Sequence, residues 1–179
     1  FTNSVTVGVS DERYSTDPTI NNFCQIMHLP AKHWIDTRPQ QDESLEQLGV
    51  RFDTALKKWK QENPTGKVVI TQGIGLDGHT AGMMPARHRY AQALAGGPGL
   101  EDDTVTFNRL FNNPDIWAIG YDAKEKNKYP LRVTTTVPFL LSVDLSIVFV
   151  CGDDKKKPLE DVFASDSNID AIPGRIIHQ

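Results

Sequence analysis

Cysteine is scarce in this sequence: Cys24 and Cys151 are the only two among 179 residues. One possible bridge does not make a disulfide scaffold in a chain of this size, and both are expected as buried free thiols. No apolar run approaches the ~20 residues that span a bilayer, so no membrane partner is expected. Positive charge is also short, with 19 Lys and Arg against 23 Asp and Glu and a formal net charge of -4. That balance argues against a nucleic-acid partner, although a local basic patch can still hold a phosphate. No C-x-x-C pair occurs, and His28 and His33 lie in an irregular stretch without a third ligand, so no metal is expected. A Met start is lacking too. The opening Phe1-Thr2-Asn3-Ser4 does not read as a signal peptide, and a processed or cut-down cytoplasmic product is expected.

What is present is the composition of an ordinary globular domain, 39% hydrophobic and 23% charged. The length suits a single domain, 1–179, large enough for a sheet covered by helices on both faces. Val5-Thr6-Val7-Gly8-Val9 reads as a central strand, Lys67 to Thr71 as another, and Leu145 to Cys151 as the most hydrophobic. Ile116-Trp117-Ala118-Ile119 and Leu131 to Val137 add two more. Between them, Leu45, Leu48, Phe52, Ala55, Leu56 and Trp59 recur at helical spacing. Ser44 with Gln47 fits a capping box, and Asn63-Pro64-Thr65-Gly66 stops the helix. Shorter helices are expected near Asn21–Met27, from Pro138 through Leu141 and over Leu159–Phe163. The region from Pro30 to Asp42 is read as irregular, and Ala91–Ala95 as a helical turn broken at Gly96-Gly97-Pro98-Gly99. Strands alternating with helices predict an α/β sheet, largely parallel, with loops from several strand ends meeting at one rim.

One of those loops is distinctive. Gly73, Gly75, Gly78 and Gly82 surround one Asp and one His directly after the strand at Val68-Val69-Ile70. Glycine recurs where a chain turns tightly or lets a ligand approach its backbone, and open α/β sheets bind ligands at strand ends. His79 is therefore a candidate base or acid, against the plain alternative of a surface histidine. Asp77 either orients that imidazole or caps the loop. Asp11-Glu12-Arg13 emerges at the end of the first strand, where Arg13 can hold a phosphate or simply face solvent. Of Lys155, Lys156 and Lys157, one can neutralise a phosphate, and Arg132 reads first as a salt-bridge partner. The run Gly73-Ile74-Gly75-Leu76-Asp77-Gly78 matches G-x-G-x-x-G only superficially, no Gly-Lys-Ser/Thr ending makes it a P-loop, and no G-x-S-x-G elbow is present.

Taken together, these segments resemble a known family. Gly73-Ile74-Gly75-Leu76-Asp77-Gly78-His79-Thr80-Ala81 is similar to the signature loop of the 6-phosphogluconolactonases, within the wider group that includes glucosamine-6-phosphate deaminases. Asp11-Glu12-Arg13-Tyr14, Asn21-Asn22-Phe23, Arg132-Val133-Thr134-Thr135-Thr136, Gly152-Asp153-Asp154-Lys155 and Ile172-Pro173-Gly174 resemble further motifs of that family in the expected order. The resemblance implies a three-layer α/β/α Rossmann-like fold. Thr80, Arg13 and Met83-Met84-Pro85 resemble the lactonase pattern more than the deaminase one. The implied reaction is hydrolysis of 6-phosphogluconolactone to 6-phosphogluconate in the pentose phosphate pathway, with no cofactor and a small sugar-phosphate as partner. Deamination or isomerisation of an amino-sugar phosphate, or sugar-phosphate binding without turnover, are the alternatives. In that scheme His79 handles protons and Asp77 orients the loop, His79 or the sugar. Arg13 and Lys155 hold the 6-phosphate, with Arg132 as a further contributor. Asp11 shapes the substrate site, and Gly73, Gly75 and Gly78 bring backbone N–H groups to it. A monomer or weak homodimer is expected. The family's N-terminal strand with its Gly-Gly-Ser-type loop, and its closing C-terminal helix, are expected to be missing from these 179 residues.

Overall fold

The longest helix, α2 (Leu45–Glu62), forms where the apolar spacing places it, and both halves of its capping box are made. The Ser44 hydroxyl accepts from Gln47 N at 3.2 Å, while the Gln47 side chain accepts from Ser44 N at 2.7 Å. These two bonds satisfy N–H groups that a helix start leaves without intrahelical partners. Leu45, Leu48, Phe52 and Leu56 fall on one face and are buried. The computed structural model describes residues 4–86, 104–164 and 168–178; the turn and break expected at 91–99 lie outside them.

Around α2 the described chain forms seven short strands. They are β1 (Thr6–Val7), β2 (Asp11–Arg13), β3 (His33–Trp34), β4 (Val69–Gln72), β5 (Ala118–Asp122), β6 (Leu131–Thr135) and β7 (Leu145–Val148). The other helices are α1 (Asn22–Ile26), α3 (Thr104–Phe111), α4 (Val137–Leu141) and α5 (Lys156–Phe163). Strand β1 pairs with β3 and β4 with β7, both parallel. Between β2 and β5 lies β6, antiparallel to both. The result is a mixed α/β fold with parallel sheets, as expected, to which this three-stranded antiparallel sheet is added.

Helix α2 lies directly on β5. A Cβ built on Gly49 of the helix would overlap the backbone of Gly120, and one built on Gly120 would overlap the carbonyl of Leu45. Two glycines facing one another thus let helix and strand touch backbone to backbone. Phe52 and Val133 are almost fully buried beneath this contact, and Phe107, Phe111 and Tyr121 follow in an edge-to-face row. Pro138 sits in the first turn of α4, where its missing N–H costs nothing.

Four expectations change. The first strand is Thr6–Val7 rather than Val5–Val9, and its partner β3 falls in the stretch read as irregular. Asp11-Glu12-Arg13 is itself a strand, with Glu12 fully buried rather than exposed at a strand end. Cys24 and Cys151 are free thiols, but Cys24 is half-buried and Cys151 exposed.

Glu12 is buried because donors await it. One carboxylate oxygen accepts from Arg13 N at 2.8 Å and Asn22 N at 2.5 Å, the other from Phe23 N at 2.9 Å and the Thr37 hydroxyl at 2.9 Å. Burial pushes this carboxyl above its ordinary pKa, against the bonds from Phe23, Asn22, Thr37 and Arg13 that pull it down. An amide in its place would turn an N–H₂ toward donors on one side. Glu12→Gln is therefore expected to cost about 1–3 kcal/mol, the range for a buried polar group left without its partner. Urea unfolding of the two proteins measures this, and an unchanged midpoint would contradict the account.

Candidate active site

The rim of the molecule near the ends of β1, β4 and β7 encloses a cleft of about 690 Å³. Strand β2 contributes Asp11 and Arg13, β6 contributes Arg132, the loop after β4 contributes Gly73 through Gly82, and the turn after β7 contributes Lys155. Of the residues singled out from sequence, Asp11, Arg13, Gly73, Gly75, Asp77, His79, Arg132 and Lys155 all line it. Gly78 does not. It lies behind the loop, where its φ of 85° makes the turn and its carbonyl accepts from Gly174 N at 2.8 Å.

The loop folds so that His79 rests on Gly75. A Cβ at Gly75 would overlap the His79 ring, so only glycine lets the imidazole take this position. Gly75 N donates to the His79 carbonyl at 2.8 Å, and Gly78 N to the Gly75 carbonyl at 3.1 Å. Further along, the Tyr121 hydroxyl donates to the Gly82 carbonyl at 2.6 Å, and the Thr134 hydroxyl donates to Ala81 O. Thr80 is fully buried and donates to Gly73 O at 2.9 Å and to the Gln72 side chain at 3.0 Å. Burial holds the Tyr121 hydroxyl well above its ordinary pKa, so it remains the loop's donor.

Asp77 bonds both the backbone and the ring of His79. Its Oδ1 accepts from the His79 backbone N–H at 3.1 Å and meets His79 Nδ1 at 2.5 Å. Burial raises the Asp77 carboxyl, but the hydrogen bond and charge of His79, with backbone donors, outweigh it and hold the group below its ordinary value. An ionised Asp77 can only accept, so Nδ1 carries a proton toward it, and in the neutral form of the ring Nε2 is the nitrogen with the lone pair.

Three cations line the same cleft. Arg132, 6% exposed, is ion-paired through its Nη2 with Asp11 Oδ2 and reaches Asn127 Oδ1 at 3.4 Å. Arg13 lies over the Tyr129 ring at 4.8 Å and reaches the Ile20 carbonyl at 3.4 Å. Nε of both arginines is buried with no hydrogen-bond partner. Lys155 donates to the Ile74 carbonyl at 2.8 Å, which uses one of its three donors and ties it to the glycine loop. Lys156 and Lys157 do not line the cleft.

Several lining residues escaped the sequence. Ser10, Thr71 and Gln72 border the cleft, and Asn22 joins it while its side chain donates to the Asp11 carbonyl at 2.9 Å. A glutamine closing the apolar run Val68-Val69-Ile70 was the available signal for Gln72. Asn22 lies in the Asn21-Asn22-Phe23 motif at the start of α1, while Ser10 and Thr71 have no local pattern of their own. Among the described residues, no group of three or more His, Cys, Asp or Glu is placed to hold a metal ion. No helix among them is long and apolar enough to cross a membrane.

A mixed α/β fold in which a strand-end loop sets a histidine–carboxylate pair in one cleft with cations from two strands and a turn has the form of an α/β ligand-binding cleft. The profile of one family, described as glucosamine-6-phosphate isomerases/6-phosphogluconolactonase, matches residues 2–179. The chain belongs to this family. Solved structures agree at the level of fold. A 6-phosphogluconolactonase from Plasmodium vivax superposes with a TM-score of 0.68 at 15% identity, over 95% of this chain and 63% of its own. A 6-phosphogluconolactonase from Shewanella baltica gives 0.60 at 14%, over 97% and 66%. A monomeric glucosamine-6-phosphate deaminase gives 0.59 at 16%, over 97% and 68%. This chain thus spans somewhat less than two thirds of the length of the two lactonases. No sequence among the curated proteins matches it.

The Asp77 geometry generates a pH prediction. A carboxyl whose folded pKa lies below its unfolded value stabilises the fold above the unfolded pKa and loses that contribution as pH falls through the folded one. Asp77→Asn is therefore expected to destabilise the protein at neutral pH. The gap from the parent should close as pH drops below 3.8, the ordinary value for the group. Denaturant melts at pH 7 and at stepped acid pH measure it; a gap of constant size would show that the Asp77 charge is not involved.

Proposed function

We propose that this protein hydrolyses 6-phospho-D-glucono-1,5-lactone to 6-phosphogluconate, a carboxylic ester (lactone) hydrolysis of the pentose phosphate pathway. One observation carries the reading: the His79–Asp77 pair shares its cleft with Arg13, Arg132 and Lys155. A base and several cations in one cleft together suit a neutral electrophile that carries an anionic group. A lactone bearing a phosphate is such a molecule.

In this reading Asp77 accepts the Nδ1 proton of His79 and leaves Nε2 to take a proton from water as that water attacks the lactone carbonyl. The same nitrogen then returns a proton to the departing ring oxygen. A nearby cation, or a glycine-loop N–H other than those of Gly75 and Gly78, which are bonded within the loop, stabilises the developing oxyanion. Arg13 and Lys155 hold the 6-phosphate, with Arg132 contributing from beneath. Asp11 shapes the sugar site.

Deamination or isomerisation of an amino-sugar phosphate is the second reading, and the family and fold accommodate it. It would ask Asp11 to carry protons, yet Oδ2 of Asp11 is committed to the Arg132 guanidinium. That pairing favours the lactonase. Residues 1–179 are proposed to form one domain of this enzyme.

His79→Ala is expected to lower kcat by about 10²–10⁴-fold, the usual worth of a positioned acid–base group, with little change in KM. The measurement follows opening of freshly prepared lactone, corrected for the spontaneous reaction; a variant as fast as its parent would remove His79 from the mechanism. Lys155→Ala should instead raise KM, by roughly 10–100-fold for loss of one charged hydrogen bond to phosphate. If the parent binds 6-phosphogluconate but does not accelerate opening, the protein is a sugar-phosphate binder without turnover.

A further inference from the structure

Gln72 ends β4, and within that strand only Ile70 and Gln72 are buried. An amide at 6% exposure needs hydrogen-bond partners, and both ends of this one have them. Nε2 donates to the Ser146 hydroxyl of β7 at 2.7 Å, and Oε1 accepts from the Thr80 hydroxyl at 3.0 Å. The main-chain carbonyl of Gln72 accepts in addition from Phe149 N at 2.9 Å.

The two partners lie where a tie would matter. The chain leaves β4 at Gln72 and returns to the core at Thr80, which is fully buried and directly follows His79. The bond between these two side chains therefore closes the glycine loop across its neck. Inside the neck, Gly75 N holds the His79 carbonyl and Asp77 holds Nδ1. Those bonds fix the imidazole relative to the loop, but they do not fix the loop relative to the sheet. Tyr121, Thr134 and Gly174 bond it from Gly78 onward, while toward its start Lys155 bonds Ile74 and Thr80 bonds Gly73. Through Ser146 the Gln72 carboxamide joins that start to β7, the strand whose following turn carries Lys155.

The Thr80 hydroxyl has one proton and two acceptors, Gly73 O at 2.9 Å and Gln72 Oε1. Without the Gln72 acceptor that proton goes to Gly73, and Ser146 is half-buried, with solvent at hand. Methionine, of the same length as glutamine, would thus cut the tie without leaving a buried polar group unpaired.

We propose that Gln72 is a positioning residue: its carboxamide latches the neck of the glycine loop to β7 and so sets His79 against the substrate that the cations hold. The consequence for catalysis rests on the reading of His79 as the base, whereas the latch itself does not.

Gln72→Met, Ser146→Ala and the double variant test it. Hydrogen exchange is followed at the Gly75 and Gly78 amides, with the Phe52 amide of α2 as the measure of global opening. Gln72→Met is expected to speed exchange about tenfold at the two loop amides and to leave Phe52 unchanged. Its kcat for the lactone should fall roughly 10- to 100-fold, as for a small displacement of a reacting group, with KM within about twofold of the parent. Ser146→Ala should act in the same direction in the parent and add nothing to Gln72→Met, because its hydroxyl works only through the carboxamide. If Gln72→Met does not fold, Ser146→Ala against the parent carries the same comparison. Faster exchange at all three amides alike would make Gln72 an ordinary core residue, and unchanged exchange in the loop would remove the latch. A Ser146→Ala effect of equal size in both backgrounds would remove it as well. Faster loop exchange with unchanged kcat in an active parent would overturn the positioning role. A parent without lactone turnover overturns the lactonase reading instead, and the loop amides then decide on the latch by themselves.

Discussion

The contact on which the site depends is that between the His79 ring and the bare backbone of Gly75. A histidine side chain has two free torsions, and a base needs both of them fixed. Here the fixing is done at the ring and at the backbone together. Gly75 offers its α-carbon as a floor, its N–H bonds the His79 carbonyl, and Asp77 takes Nδ1 from the side. Each restraint comes from within five residues of chain. The histidine is therefore oriented before any distant strand is considered, and the rest of the fold has only to hold the loop as a body.

That second task falls to buried polar groups. Tyr121 from β5 holds Gly82, Thr134 from β6 holds Ala81, Thr80 ties back to Gly73, and Gly174 from the tail holds Gly78. All are bonds to loop carbonyls, which suits a segment too tightly turned to satisfy its own. The antiparallel sheet matters for the same reason. By pairing β2 with β6 it sets Asp11 beside Arg132, so the deepest cation of the cleft is neutralised by a carboxylate that belongs to the cleft as well. A buried Arg without that partner would be costly. With it, the guanidinium still has an unpaired Nε.

How much of this was legible in sequence depends on whether the cause is local. Helix α2 was, because its stripe and its capping box lie within the helix and its first turn. The glycine loop was, for the reason just given. Strand β3 was not, since His33–Trp34 is two residues long and owes its existence to β1. The Asp-Glu-Arg triplet misled more instructively. Three charges in a row read as surface, yet strand alternation sends Glu12 inward while Asp11 and Arg13 line the cleft. What makes burial tolerable is the start of α1, where Asn22 and Phe23 supply N–H groups that have no partners within the helix. Nothing in the triplet announces donors ten and eleven residues away.

Glu12 also shows how one motif serves two ends. Its carboxylate fixes α1 to β2, and α1 places Asn22, whose side chain in turn binds the Asp11 carbonyl. Asp11 and Arg13 flank Glu12 in the same strand, so fixing the middle residue fixes the reach of both neighbours. The inward carboxylate is a structural anchor, and the outward two charges line the cleft. A substitution at the buried position should therefore disturb the cleft without any contact to it. The reverse does not hold: Arg13 can change while the anchor of Glu12, made to its backbone N–H and not to its side chain, remains.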